Sequence, residues 1–192
     1  MRILLACEES QAVCLKFREM GHDAFSADIL ECTGGHPEWH IQGDVIDIIN
    51  QGWDMLIAFP PCTHLAVSGA RHFKSKQNDG RQEAGIKFFM QMINAPIEKI
   101  AVENPIGIMS SVYKKPTQII HPYYFGDPYS KSTCLWLKGL PKLVHVKSSP
   151  LFPELETHTD SGEFITFPSG KRMAKWYSAA SGKGGIRSKT FP

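Results

Sequence analysis

Apolar runs and amphipathic segments alternate along the first three quarters of the chain. Short apolar runs predict five β-strands, at residues 2–7, 22–29, 53–59, 99–105 and 132–137. Between them, residues 10–21 and 79–94 carry apolar side chains at helical spacing. This alternation predicts an α/β fold with a Rossmann-like, doubly wound and mostly parallel sheet in a single domain.

Two other stretches carry weaker patterns. Residues 40–50 contain a glycine followed by Asp44 and an apolar run, which predicts a short helical stretch after that aspartate. Residues 138–192 are rich in Pro, Gly, Ser and Lys and show little periodicity, which indicates loops. We therefore expect one folded domain over residues 1–145 and a short irregular segment over residues 146–192.

Composition narrows the class of protein. The 192 residues are 42% hydrophobic and 21% charged, as in ordinary soluble proteins. No apolar run reaches the roughly 18 residues of a membrane span, so we expect no membrane partner. The five cysteines have no CxxC spacing, which favours a reducing cytoplasm over a disulfide framework or zinc cluster. We predict no metal site, because His36 and His40 in a loop are a weak ligand pattern.

Charge is unevenly distributed, although the formal net charge is only +2. No acidic residue follows Glu163, and Trp176 and Tyr177 lie among the basic residues of this region. Such a mixture suits phosphate contact and base stacking, but it also suits a solvated tail. The basic residues are Lys171, Arg172, Lys175, Lys183, Arg187 and Lys189.

Polar and reactive groups follow every predicted strand of the first 105 residues. In a parallel sheet the carboxyl ends of the strands meet at one edge, and ligands bind there. We therefore expect one site at that edge. Its candidate residues are Cys7, Glu8, Ser10, Asp28, Asp44, Pro60, Pro61, Cys62, Glu103 and Asn104.

The carboxylates at this edge indicate a nucleoside cofactor. An acid that ends the second strand of such a sheet commonly binds a ribose diol, and Asp28 has that position. Asp44 suits an adenine amino group, or it only caps the helical stretch that follows it. Residues 4–13 contain no glycine, and Glu8 and Glu9 would repel a pyrophosphate. A cationic cofactor such as S-adenosylmethionine fits better.

Cys62 is the candidate nucleophile. Pro60 and Pro61 fix the backbone that leads to it, and a thiol reacts as its thiolate. Glu103, predicted on a neighbouring strand end, suits the ring nitrogen and amino group of a pyrimidine attacked at C6. With a methyl donor, this set describes methylation at C5. The plainer alternatives are a structural thiol at Cys62 and a loop-capping acid at Glu103.

These motifs resemble a known family. The sequence "FPPC" (59–62) followed by "ENP" (103–105) is similar to the PPC and ENV motifs of DNA cytosine-5 methyltransferases. Asp28 and Asp44 match the cofactor acids in order, and "GDPYSKSTCLWLKGLPKL" (126–143) resembles the next block, QxRxR before a strand. The chain is most similar to the short phage and prophage proteins of this family, over residues 1–145 and more weakly at "IRSKTFP".

The resemblance implies a class I S-adenosylmethionine-dependent methyltransferase fold over residues 1–145. It implies that Cys62 attacks C6, that Glu103 stabilises the protonated N3, and that Lys131 donates to O2 of a cytosine flipped out of DNA. Pro61, Asn104 and Thr133 would line the substrate. The implied cofactor residues are Cys7, Glu8, Ser10, Asp28, Ile29, Asp44, Val45 and Pro60.

The sequence also departs from the family pattern. Residues 6–11 replace the glycine-rich first motif, Thr63 replaces a glutamine, and the two arginines of QxRxR fall on Lys131 and Thr133. Only about fifty residues follow Leu140, so a full target recognition domain has no room, and whether a protein partner supplies recognition stays open. Two alternatives stay open: pyrimidine C5 methylation of RNA or a free nucleotide, and a non-catalytic binder of nucleic acid or protein.

Overall fold

A seven-stranded sheet forms the centre of the computed structural model, which describes residues 1–67, 79–147, 151 and 153–179. The strand order is β3-β2-β1-β4-β5-β7-β6. The strands are β1 Arg2–Ala6, β2 Asp23–Asp28, β3 His40–Gln42, β4 Met55–Ala58, β5 Lys99–Pro105, β6 Gln118–Ile120 and β7 Thr133–Lys138. The helices of this region are α1 Ala12–Glu19, α2 Arg81–Ile93 and α3 Met109–Val112, with 3₁₀ turns at Pro37–Trp39 and Val45–Asp47.

The strand directions confirm an α/β protein with a mostly parallel sheet. Strand β1 pairs in parallel with β2 and β4, and β3 and β5 extend the parallel part on either side. Strand β7 pairs antiparallel with β5, with Thr133 opposite Pro105 at one end and Lys138 opposite Ile100 at the other. The sheet therefore has a parallel half and an antiparallel edge.

Continuous apolar runs form the inner strands because both faces of the sheet are covered. Ile3, Leu4 and Leu5 of β1 are fully buried in succession. On one face, the ring of Phe89 from α2 packs edge-on against Trp136 of β7, with ring centroids 5.1 Å apart. The apolar stripe of α2 thus anchors the helix over β5 and β7.

The structure corrects several details of the sequence prediction. Residues 40–42 form the edge strand β3, and the helical stretch predicted up to residue 50 is a single 3₁₀ turn at Val45–Asp47. Periodicity missed β3 because three residues are too few to show an alternation. Residues 138–192 were expected to be loops, but they include β8 Phe164–Thr166, β9 Arg172–Ala174 and the short helix α4 Lys175–Ala179.

The chain divides into two compact units. The first is Met1–Ile119 with Thr133–Lys142, and the second is formed by the described parts of Ile120–Ser132 and Leu143–Pro192. The second unit contains 3₁₀ turns at Pro122–Phe125 and Pro153–Leu155 and the antiparallel pair β8 and β9.

The second unit also holds a stack of aromatic rings. His145 and His158 both lie parallel to the ring of Tyr124, with centroids 4.2 and 4.5 Å away. Nδ1 of His145 and Nε2 of His158 are 2.8 Å apart. The stack joins three separate loops of this unit.

None of the helices in the described ranges is both long enough and apolar enough to cross a membrane. Three of the basic residues singled out in the sequence, Lys183, Arg187 and Lys189, lie outside the described residues, as does the weakly matching segment 186–192.

Candidate functional site

The site lies where the strand order reverses. Successive strands extend the sheet from β1 through β2 to β3, whereas β4 adds on the other side of β1. The backbone N–H of Cys7 donates to the carbonyl of Ala27 (2.7 Å), and that of Phe59 donates to the carbonyl of Ala6 (2.9 Å). The carboxyl ends of β2, β1 and β4 are therefore held side by side, as at the ligand-binding edge of other open α/β sheets.

Cys62 lies in a compact turn that follows β4. Pro60 is buried, Pro61 is exposed, and Cys62 itself is half-buried. The backbone N–H groups of Leu65 and Ala66 both donate to the carbonyl of Cys62, each over 2.9 Å. The turn thus fixes the backbone at the cysteine while leaving part of that residue accessible.

Asn104 joins this turn to the next strand. Its Nδ2 donates to the carbonyl oxygen of Pro60 over 2.8 Å, and the asparagine is only 1% exposed. Because only the amide nitrogen of Asn104 can donate to a carbonyl, this bond determines which end of the amide faces Pro60. The other amide atom, Oδ1, is buried and has no hydrogen-bond partner among the described residues. The side chain of Asn104 therefore anchors the backbone two residues before Cys62.

The loops that follow β4 and β5 are joined a second time beyond the cysteine. The N–H of Ile108 donates to the carbonyl of Leu65 (2.9 Å), and the N–H of Val67 donates to the carbonyl of Ile106 (3.0 Å). Gly107 lies so close that a Cβ there would fall within 3.0 Å of the Leu65 carbonyl group. The two loops consequently form one backbone structure.

Cys62 follows the end of β4, and Glu103 lies near the end of the neighbouring strand β5. Ala58, the last residue of β4, pairs with Val102, so Glu103 is the first residue of β5 beyond the end of β4, and β5 continues beside β7 to Pro105. Glu103 is half-buried and opposes Leu135 of β7. The register therefore brings the backbone of Glu103 to the end of β4, and the roles predicted for Cys62 and Glu103 stay predictions.

Strand β7 is the third strand that contributes residues to this edge of the sheet. Thr133, its first residue, opposes Pro105 and so belongs to the same end of the sheet. Burial, and then the charge of Glu103, raise the pKa of the Cys134 thiol to about 11, so this cysteine stays a neutral core residue. Lys131 belongs to the second unit, and its predicted contact with the base stays a prediction.

The two cofactor-type acids lie around Cys7. Burial, followed by the charges of Asp28 and Asp44, raises the pKa of the Cys7 thiol to about 12. The carbonyl of Asp28 accepts the N–H of Gly43 (2.9 Å), which links the two acidic loops. Cys7 is thus a neutral thiol beside two carboxylates, and this end of the sheet is electrostatically negative.

Asp28 and Asp44 each also make a local bond. Oδ1 of Asp28 accepts the N–H of Leu30 (3.0 Å), and Oδ1 of Asp44 accepts the N–H of Ile46 (2.9 Å). The capping role considered for Asp44 is therefore real, and each acid is oriented by its own loop. The adjacent apolar residues differ, because Ile29 is 73% exposed whereas Val45 is buried.

Glu8 has a structural role at the start of α1. Its two carboxylate oxygens accept the N–H groups of Val13 (2.6 Å) and Cys14 (3.2 Å), and the residue is buried. Burial outweighs these bonds and raises the pKa of Glu8 to about 7. Ser10 is exposed, and its Oγ accepts the N–H of Ala12 at 3.5 Å. These bonds favour a capping role for Glu8 over the predicted cofactor contact.

Sequence reasoning did not single out Gln11, which shapes the first turn. It is fully buried with a positive φ of 58°, and its amide donates to the carbonyl of His36 (2.8 Å) and accepts its N–H (3.0 Å). Gly34 packs directly against Ser10 and Gln11, where a Cβ would clash. The signal in the sequence was the pair Gly34-Gly35, which marks a loop with close backbone approach.

Comparisons with known proteins found no match for this chain: no protein-family model and no curated protein matches it.

Proposed function

We propose that this protein transfers a methyl group from S-adenosylmethionine to C5 of cytosine in DNA, through a covalent adduct with Cys62. The observation that carries the proposal is the tie between the two motif loops. Asn104, next to Glu103, donates to the carbonyl of Pro60, two residues before Cys62. A thiol and a carboxyl group on neighbouring strand ends are what nucleophilic attack on a pyrimidine requires.

The proposed reaction begins at Cys62. Its thiolate adds to C6 and forms a C–S bond, while the C5=C6 electron pair moves to C5. Glu103 holds the proton at N3 and so stabilises the charge that develops on the ring. The electron pair on C5 takes the methyl group as the donor's S–CH₃ bond breaks, which leaves S-adenosylhomocysteine. A base then removes the C5 proton, the C–S bond to Cys62 breaks, and the double bond and the thiolate are restored.

The residues around Cys7 fit a cationic cofactor. Asp28 and Asp44 place two carboxylates beside a thiol whose raised pKa keeps it neutral. S-adenosylmethionine carries a positive sulfonium and a positive ammonium group, and it would supply the methyl group. Asp28 would hold the ribose hydroxyls, Asp44 the adenine, and the exposed Ile29 would cover the adenine ring.

The topology supports a class I methyltransferase fold. A parallel sheet that reverses between β1 and β4, and that has an antiparallel β7 next to β5, is the arrangement expected of that fold. Because similar sheets host many chemistries, this support is weaker than that of the two joined loops. The target base would have to leave the DNA helix to reach Cys62.

A trapping experiment tests the proposal. Duplex DNA that contains 5-fluorocytosine is incubated with tritiated S-adenosylmethionine, because fluorine at C5 prevents the final proton removal and leaves the adduct intact. We expect a labelled protein–DNA complex that survives denaturation. Cys62→Ser should abolish it, whereas Cys32→Ser, the matched change at another half-buried cysteine, should retain it.

A non-catalytic binder is the second candidate, and the first turn favours it. Gln11 and Gly34 fill the space at residues 8–11 with protein atoms, where the resembling family has a glycine-rich motif. Absence of any adduct together with absence of cofactor binding in calorimetry would support this candidate and contradict methyl transfer. An adduct with RNA or deoxycytidine monophosphate, but not with DNA, would change the substrate and keep the chemistry.

A further inference from the structure

The antiparallel pair β8 and β9 is a well-formed hairpin whose surface is exposed. Every residue from 163 to 172 is exposed, including Phe164, Ile165 and Phe167 at 36%, 36% and 37%. An isolated two-stranded hairpin is only marginally stable in water, and exposed aromatic side chains add no stability to it. Hydrophobic side chains concentrated in this way point to a partner.

The turn of the hairpin is closed by backbone bonds. The N–H of Phe167 donates to the carbonyl of Lys171, and the N–H of Gly170 donates back to the carbonyl of Phe167, both over 2.9 Å. Gly170 has a positive φ of 76°, which the tight turn requires. The base of the hairpin is closed by an ion pair between Lys175 and Glu163, 2.6 Å apart.

One face of the hairpin combines a cation with an aromatic ring. Thr166 pairs with Arg172 and Phe164 with Ala174, so Phe164 and Arg172 point to the same side of the ribbon. The guanidinium carbon of Arg172 lies 4.6 Å from the centroid of the Phe164 ring. No acidic residue occurs between Phe164 and the end of the chain, and Lys171 adds a second positive charge at the turn.

These features are complementary to duplex DNA. The major groove admits a two-stranded β-ribbon, phosphates attract Lys and Arg side chains, and apolar side chains such as Phe contact the methyl group of thymine. A purely apolar hairpin would favour a protein partner, and a purely basic one would favour any polyanion. Basic and apolar side chains together on a narrow ribbon favour binding in a groove of DNA.

We propose that the hairpin Phe164–Ala174 enters the major groove of duplex DNA, with Lys171 and Arg172 on phosphates and Phe164 against the bases. The inference rests on the proposed function, because it assigns to this hairpin the DNA contact that a separate recognition domain would otherwise make. It concerns the second unit by itself.

The test is a binding titration of the whole protein, without any catalytic readout. Fluorescence anisotropy with a labelled DNA duplex gives Kd at several salt concentrations. We expect Phe164→Ala to weaken binding about fivefold or more, from the apolar contact with the thymine methyl groups that it removes. The double variant Lys171→Ala with Arg172→Ala should reduce the slope of log K against log salt by about 2, at about 0.9 for each phosphate contact.

Matched variants control for the loss of a ring or of charge elsewhere. Phe125→Ala removes a 42% exposed phenylalanine from another part of the second unit, and Lys16→Ala with Lys142→Ala removes two exposed lysines from the first. Both should leave the Kd and the slope near the wild-type values. Melting temperatures confirm that each variant is folded.

A duplex RNA of the same sequence discriminates further, because the major groove of A-form RNA is too narrow for a ribbon. The hairpin variants should leave RNA binding unchanged. Three results would each overturn the inference. The hairpin variants could lose as much affinity for RNA as for DNA, they could lose affinity only for vesicles of anionic phospholipid, or they could keep the wild-type Kd and slope on DNA.

Failure of this inference is distinguishable from failure of the proposed function. If wild type forms the Cys62 adduct and the hairpin variants bind DNA like wild type, only the hairpin assignment is wrong. If no adduct forms but the variants lose DNA binding as described, the hairpin assignment stands and methyl transfer does not.

Discussion

Two acidic residues near the end of β1 and β2 lie in opposite environments. Asp28 is partly exposed and is oriented by the N–H of Leu30, whereas Glu8 is buried under α1 and accepts two helix N–H groups. Their positions at strand ends look equivalent in the sequence. The difference arises because residues 8–11 turn back to start α1, which directs Glu8 into the protein.

The buried Glu8 predicts a pH dependence of stability. Its pKa rises from 4.5 to about 7 on folding, so the native state binds a proton that the unfolded state has released between these values. The stability is fully present below the unfolded pKa and is lost as the pH rises through about 7. The shift corresponds to a decrease of up to about 3 kcal/mol in the free energy of unfolding.

Glu8→Gln isolates this effect. The amide keeps one acceptor for the helix N–H groups and cannot ionise. The variant should therefore be less stable by an amount that does not depend on pH, and its stability should not show the decrease caused by ionisation of Glu8. Urea unfolding of both proteins at pH 5, 6, 7 and 8 gives the difference, in which contributions of the eight histidines cancel. Wild type should lose stability relative to the variant as the pH rises, and parallel curves would contradict the prediction.

At the scale of elements, some features could be predicted from the sequence and others could not. Strand β5 occupies the predicted residues 99–105, and α2 covers Arg81–Ile93 within the predicted 79–94, because both have long regular patterns. The direction of β7 could not be predicted, since a buried strand has the same apolar residues in either direction. The hairpin of β8 and β9 was missed because all residues of β8 are exposed, which removes the alternation.

The candidate site also has features that could be predicted from the sequence and features that could not. Strand ends could place Cys62, Glu103 and Asp28 at one edge, because parallel strands share their direction. The sequence could not show that Glu8 would cap a helix or that Gln11 would bind the backbone of His36, since both depend on how separate loops meet.

Alanine substitutions at two glycines that both lie close to Leu65 should have opposite effects on stability. A Cβ at Gly107 would clash with the backbone of Leu65, so Gly107→Ala should destabilise the fold by about 1–3 kcal/mol, as overpacking does. Because Leu65 follows the Cys62 turn, the variant should also form less of the trapped adduct.

Gly85→Ala is the matched control. Gly85 lies inside α2, and its Cβ would meet Leu65 Cδ2 at 3.4 Å, an ordinary contact distance. Alanine should therefore stabilise the helix by about 0.5–1 kcal/mol. Denaturant unfolding measures both variants, and equal stability of the two would show that the loops are not joined at Gly107.

On the scale of the whole molecule, buried apolar residues are concentrated in the first unit. Strand β1 contains four successive residues with no exposed surface, and β4 and β5 each contribute two fully buried apolar residues, whereas Ala174 is the buried apolar residue among those described in the second unit. Free energies of local opening follow such differences in buried contact. The two units should therefore differ in how readily their backbones open.

Native-state hydrogen exchange measures this difference. Amides of β1, β4 and β5 should exchange only through global unfolding, while those of β8 and β9 should exchange far faster through local opening, because a two-stranded hairpin with exposed faces gains little from packing. Protection that is equal in both units would contradict this prediction. Saturating duplex DNA should slow exchange in Phe164–Thr166 and Arg172–Ala174 if these strands contact it, and should leave the amides of β1 unchanged as an internal control.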